Sequence, residues 1–146
     1  MVWGCITSSF KGPLIIFDKG SINGDIYREH VVPIIHQFKR DILIPILMED
    51  GASIHKAKAT QELYQKLGIL QMIWPANSPD LNPIESVWRL IKYRVGKRFP
   101  KTEAEVRQYI QEEWEKITVQ DFQHYVSSMR ERCEAVIAAN GGPTKW

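Results

Sequence analysis

Apolar residues fall along this chain in short, sharply bounded groups. Residues 2–7 and 13–17 are apolar runs separated by Ser8, Ser9, Lys11 and Gly12, the pattern of a hairpin or two adjacent strands. Over 22–38, Ile26, Tyr27, His30, Val31, Ile34, Ile35 and Phe38 form one helical stripe, which Pro33 should kink or shorten. Residues 42–48 read as a buried strand that delivers Glu49–Asp50–Gly51 at its end, with Pro45 favouring a start only after it. A helix is expected over 56–67, stopped by Gly68, and a further strand over 69–74, stopped by Pro75.

The segment 75–82 is dense in turn formers. Asn82 can cap the next helix with Pro83 at its first position. On that helix Ile84, Val87, Trp88, Ile91 and Val95 make an apolar face, and Glu85, Arg89 and Lys92 share its flank. Thr102 and Glu105 predict a capping box before Val106, Ile110, Trp114 and Ile117. Phe122, Val126, Met129, Cys133 and Val136 mark a last helix, ended by Gly141 and Gly142. Two strands, then helix, strand, helix, strand and a run of helices predict an α/β fold, parsed as one domain over 1–146.

A length of 146 residues, 44% hydrophobic and 25% charged, is enough for a real core and reads as globular. No apolar run is long enough for a bilayer span, so no membrane partner is expected, and neither is a secretory leader. Cys5 and Cys133 match no metal or redox spacing and are expected to be reduced and mostly buried. The net charge of +2 excludes no partner, but its distribution is uneven. Arg89, Lys92, Arg94, Lys97, Arg98 and Lys101 put six basic residues into thirteen positions, downstream of Glu49, Asp50, Asp80 and Glu85. Carboxylates beside a basic stretch suit a phosphodiester held with a metal; a solvated helix face is the plainer alternative.

Asp50 closes an apolar strand and is followed by two small residues, which leave room for a metal or a phosphate. It could equally be a turn aspartate bonded to its own backbone. Glu85, three after Asn82, could hold a metal or close a capping box with Asn82, and the two roles compete. Together the two carboxylates suit magnesium or manganese. A pair of ions about 3.5–4 Å apart usually wants a third, bridging carboxylate. His55 could reach the same crevice or pack on the helix start. Glu49 is expected to point away from Asp50 and not to ligate. Asp80 should brace the turn-rich loop, and Trp74, Trp88 and Trp114 should be core aromatics.

Three stretches resemble the catalytic domain of Tc/mariner superfamily transposases. They are Met1–Val2–Trp3–Gly4–Cys5–Ile6, Glu49–Asp50–Gly51–Ala52 through His55, and Trp74 through Trp88, with its Ser78–Pro79–Asp80–Leu81–Asn82–Pro83–Ile84–Glu85 run. Ile110 to Trp146 resembles the family's C-terminal helices. Asp50 falls on the second catalytic aspartate and Glu85 on the catalytic glutamate, with the family's thirty-four residues between them. Gly51, Ser53 and Ile54 depart from the usual residues without removing a ligand.

The resemblance implies an RNase H-like fold of the ribonuclease H and retroviral integrase type, a mixed sheet with flanking helices. The first catalytic aspartate would lie on a central strand upstream of Met1, and the 146 residues are then expected to be without both that strand and the family's helix-turn-helix region. It further implies metal-dependent cleavage at transposon ends and strand transfer of the freed 3′-hydroxyl. Asp50 and Glu85 would hold magnesium, or manganese in its place, with His55 assisting at the scissile phosphate. Arg89, Lys92, Arg94, Lys97 and Arg98 would meet double-stranded DNA, both transposon ends and target, in a homodimer. The setting would be the nucleus of a eukaryote or otherwise the cytoplasm. With two carboxylates, impaired activity is expected, and the alternative is an inactive transposase-derived nucleic-acid-binding or protein-interaction remnant.

Overall fold

The computed structural model describes residues 1–18, 20–42, 46–75 and 77–146, the side chain of Ile42 excepted. The chain folds as two compact units, Met1 with Phe17–Ser78, and Val2–Ile16 with Pro79–Trp146. No helix among the described residues is long and apolar enough to cross a membrane.

The first unit begins with helices α1 (Gly24–His30) and α2 (Val32–Ile42). The single apolar stripe expected over 22–38 is thus carried by two helices. Pro33 is the reason, since its ring would clash with the carbonyl four residues back and its nitrogen has no proton to donate. Strand β3 spans Ile46–Leu47; residues 43–45 of the expected strand, Pro45 among them, lie outside the described residues. It pairs in parallel with β4 (Leu70–Gln71), shorter than the strand expected over 69–74.

The helix expected over 56–67 is broken at Ala57 into α3 (Ser53–Lys56) and α4 (Lys58–Lys66). Side chains of the second piece take up carbonyls of the first: the Thr60 hydroxyl donates to Ile54 O at 2.8 Å and Gln61 Nε2 to His55 O at 2.6 Å. Gly68, at φ +63°, supplies the left-handed stop. Tyr27, Val31, Val32, Ile35, Tyr64 and Ile69 are buried here.

The second unit holds the hairpin of β1 (Val2–Ile6) and β2 (Lys11–Ile16), antiparallel with a bulge between Gly4 and Ile6, opposite Pro13, which has no ladder donor. The described strands form two small two-stranded sheets, one antiparallel and one parallel. A 3-10 turn (Pro79–Leu81) leads into α5 (Pro83–Gly96), and α6 (Glu103–Lys116) starts at the expected Thr102–Glu105 capping box. The last expected helix is two, α7 (Val119–Ser127) and α8 (Met129–Ala138). Ser128 marks the break, its hydroxyl donating to Tyr125 O at 2.7 Å.

Val87, Ile91 and Val95 of α5 meet Trp114, Ile117 and Phe122 in the core of this unit. Trp88 and Trp114 stack with centroids 5.2 Å apart, and a Cβ on Gly4 would stand 2.7 Å from the Trp114 ring, so β1 needs a glycine there. The hairpin is pinned to the end of α6 by Lys11 Nζ, which donates to Trp114 O at 2.5 Å and Ile117 O at 2.7 Å. Both cysteines are free; Cys5 is half-buried, its thiol pushed up to about 11 by burial, whereas Cys133 is exposed, against the expectation of mostly buried thiols.

Candidate functional site

Asp50 follows β3 by three residues and its side chain is 64% exposed. Its Oδ1 accepts from Ala52 N at 3.0 Å, so the turn-aspartate arrangement is present, and it leaves the second oxygen unused among the described residues. His55, the third residue of α3, stands between two carboxylates. Its Nε2 lies 3.3 Å from Asp50 Oδ1, and its Nδ1 lies 3.3 Å from Glu49 Oε1 but outside hydrogen-bond geometry. The imidazole packs edge-on against Tyr27, centroids 4.7 Å apart.

Glu49 is the residue that sequence reasoning undervalued. Strand alternation, used to turn it away from Asp50, does not apply, because β3 ends at Leu47. Its side chain is 7% exposed. The Tyr27 hydroxyl donates to Oε1, and Oε2 accepts from the Tyr64 hydroxyl at 2.9 Å and Gln71 Nε2 at 3.0 Å. Burial, followed by the Glu49 charge, pushes both phenols far above their ordinary range, so they remain donors. The available signal was a pair of tyrosines at buried positions of two apolar stripes, each needing a partner for its hydroxyl.

In the other unit Glu85 is the third residue of α5. Asn82 caps the helix by itself, its Oδ1 accepting from Ile84 N at 3.4 Å. No capping box forms, and among the described residues no hydrogen bond or ion pair engages the Glu85 carboxylate. Asp80 braces the turn as expected: its Oδ2 accepts from the Thr144 hydroxyl at 3.0 Å and its backbone oxygen from Arg132 Nη1 at 2.6 Å.

The basic stretch separates into two sets. Arg89, Lys92 and Lys97 are exposed, Lys97 lying over the Tyr93 ring at 4.4 Å. Arg94 is paired with Asp121 at 3.3 Å. Arg98 is paired with Glu112 at 2.6 Å and Glu113 at 3.2 Å, and its guanidinium stacks on Tyr109 at 3.6 Å. Arg94 ties α5 to α7, and Arg98, two residues past the end of α5, ties the segment that follows it to α6. Asp50 and Glu85 offer the hard oxygen donors that magnesium and manganese take. No group of three or more histidine, cysteine, aspartate or glutamate residues forms a metal cluster among the described residues.

The model of the DDE superfamily endonuclease family matches residues 3–107. Over the whole chain, identity is 32% to the Tc1 transposase and 31% to the Tc3 transposase of Caenorhabditis elegans. The chain spans 54% of the first and 45% of the second, about half the length of these relatives. Among solved structures, the catalytic domain of Mos1 mariner transposase superposes with a TM-score of 0.84 at 16% identity, over 99% of this chain and 75% of that one. A pre-cleavage Mos1 transpososome gives 0.85, also at 16% identity, over 99% of this chain and 45% of that one. The fold is the RNase H-like one that the motifs implied. The chain therefore belongs to the DDE superfamily endonuclease family, and within it resembles the transposases of Tc/mariner type.

Proposed function

We propose that this chain supplies part of the catalytic core of a cut-and-paste DNA transposase, cleaving DNA at transposon ends and transferring the freed 3′-hydroxyl into target DNA. The observation that carries this reading is the Glu85 carboxylate. Capping is done by Asn82, so the competing explanation for a glutamate at this place is gone, and among the described residues no hydrogen bond or ion pair engages the carboxylate. Asp50, at the family's spacing, likewise keeps one oxygen unused.

In this reading Asp50 and Glu85 bind magnesium or manganese, which when bound activates the attacking oxygen and neutralises charge on the phosphate. Solved Mos1 catalytic-domain structures are described with manganese and with magnesium. His55 orients Asp50 from one side and assists near the scissile phosphate. Arg89, Lys92 and Lys97 hold the DNA backbone, since Arg94 and Arg98 are committed to ion pairs within the fold. The substrates are double-stranded transposon ends and target DNA. A homodimer would hold both ends, in line with the paired-end and strand-transfer complexes described for Mos1. In a eukaryote the nucleus is the setting.

A pair of ions usually wants a third, bridging carboxylate beside these two. The test is nicking of supercoiled plasmid with magnesium or manganese by the chain carrying an added N-terminal strand that ends in aspartate. D50N and E85Q are each expected to lower cleavage by orders of magnitude. Full cleavage by either variant would overturn the assignment.

A further inference from the structure

Arg132 of α8 is 1% exposed, the largest side chain so completely buried among the described residues. Its three hydrogen bonds all end on neutral oxygens: Nε on Ser128 Oγ at 2.9 Å, Nη1 on Asp80 O at 2.6 Å and Nη2 on Ser86 Oγ at 2.9 Å. The Trp146 ring lies over the guanidinium at 4.5 Å. A buried cation without a carboxylate bonded to it is a costly way to join two elements, and a packed apolar side chain generally does so at less cost. What an apolar side chain cannot do is grip two named points at once. A planar guanidinium can, because its donors form a rigid fork.

The two points gripped are informative. Asp80 O lies before the Asn82–Pro83 entry into α5 and Ser86 Oγ lies after it, so the fork closes over the turn that delivers Glu85. The same turn is held a second time by the Thr144 hydroxyl on the Asp80 carboxylate. Ser86 is 6% exposed and adjacent to Glu85 on the first turn of the helix. Fixing its hydroxyl fixes the rotation of that turn about the helix axis, and with it the direction of the neighbouring carboxylate.

We propose that Arg132 is the positioning residue for Glu85, locking the first turn of α5 so that the carboxylate is presented in one direction. The metal half of this inference rests on the reading of Glu85 as a ligand; the locking half rests on the geometry alone. Outer residues that orient a metal ligand typically contribute about 10–100-fold in affinity.

The test uses the full chain and its R132K, R132M, S86A and E85Q variants. Hydrogen exchange followed by mass spectrometry reads protection over 83–89 against protection in α6. Electron paramagnetic resonance reads binding of free Mn2+. Lysine keeps the charge but not the fork, so R132K should not rescue. It should lose protection at the start of α5 by tenfold or more while α6 is unchanged, and bind Mn2+ about tenfold more weakly. If R132M fails to fold, S86A still removes one anchor with Arg132 in place, and a smaller loss in the same segment is expected. Wild-type protection over 83–89 in both R132K and S86A would overturn the lock. Weakened Mn2+ binding in E85Q with unchanged binding in R132K would overturn the positioning role. Unchanged Mn2+ binding in E85Q would instead overturn the reading of Glu85 as a ligand.

Discussion

At the scale of single residues, the local chemistry follows from which polar groups are left without water. Glu49 shows this most clearly: once buried, its carboxylate needs donors, and Tyr27, Tyr64 and Gln71 supply them. Asp50, one residue on, stays exposed and keeps an oxygen available. Phe99 shows the opposite situation, a bulky residue at φ +51° and 74% exposed. It sits between Arg98, pinned by Glu112 and Glu113, and Pro100, whose φ is fixed. A positive φ costs an ordinary L-residue about 1–2 kcal/mol, and asparagine tolerates it better. F99N should therefore stabilise the protein by about 1 kcal/mol in urea unfolding; a loss of stability would show that the exposed ring contributes more than its backbone strain costs. Asp50, His55 and Glu85 were legible as candidates because each carries its chemistry in a motif. Glu49 was not, because its partners come from segments fifteen or more residues away, and two of them are tyrosines that look apolar in a hydrophobicity pattern.

At the scale of elements, α5 serves two purposes that its composition did not separate. Six basic residues in thirteen positions suggested one DNA-binding stretch. Two of its arginines instead meet Glu112, Glu113 and Asp121 on α6 and α7, acidic residues that only tertiary packing brings to them. Replacing Arg89, Lys92 and Lys97 together with alanine should reduce the log–log salt slope of DNA binding by about 2–3, close to one unit for each lost phosphate contact. R94A with R98A should lower thermal stability more than that slope, and a larger change in slope from this pair would reverse the assignment.

The acidic partners also set the behaviour at low pH. Glu113 is held below its ordinary 4.5 first by the hydrogen bond from Lys116, against the opposing effect of burial, and then by Lys116 and Arg98 charge. Asp121 is lowered first by the Thr118 backbone N–H. Depressed carboxylates stabilise the folded state above their ordinary values, and this contribution is lost as pH falls through the lowered ones. Denaturation midpoints should therefore drop below about pH 4.5, and less steeply in E113Q. An identical acid limb in E113Q would remove Glu113 from that account. The order of elements was legible from periodicity and turn residues. The breaks at Ala57 and Ser128 were not, because neither has a proline or glycine; Thr60, Gln61 and Ser128 make them by bonding backbone carbonyls.

At the scale of the whole molecule, the chain is two compact units, each carrying one of the motif carboxylates, Asp50 in one and Glu85 in the other. Each carboxylate is kept available by local means: the Asp50 turn uses one oxygen only, and Asn82 relieves Glu85 of capping. Strand β4 is two residues long, which the apolar run over 69–74 did not reveal, because hydrophobicity marks burial and not ladder pairing. The claim on which the functional account stands is that Asp50 and Glu85 are each metal ligands, as proposed above. Iron(II) substituted for magnesium, with ascorbate and peroxide, cuts the backbone beside the ligands that hold it. The account predicts a cut next to Asp50 and a cut next to Glu85, each suppressed by excess magnesium, the first lost in D50N and the second in E85Q. A cut missing at either place, or one that survives removal of its own carboxylate, would contradict it.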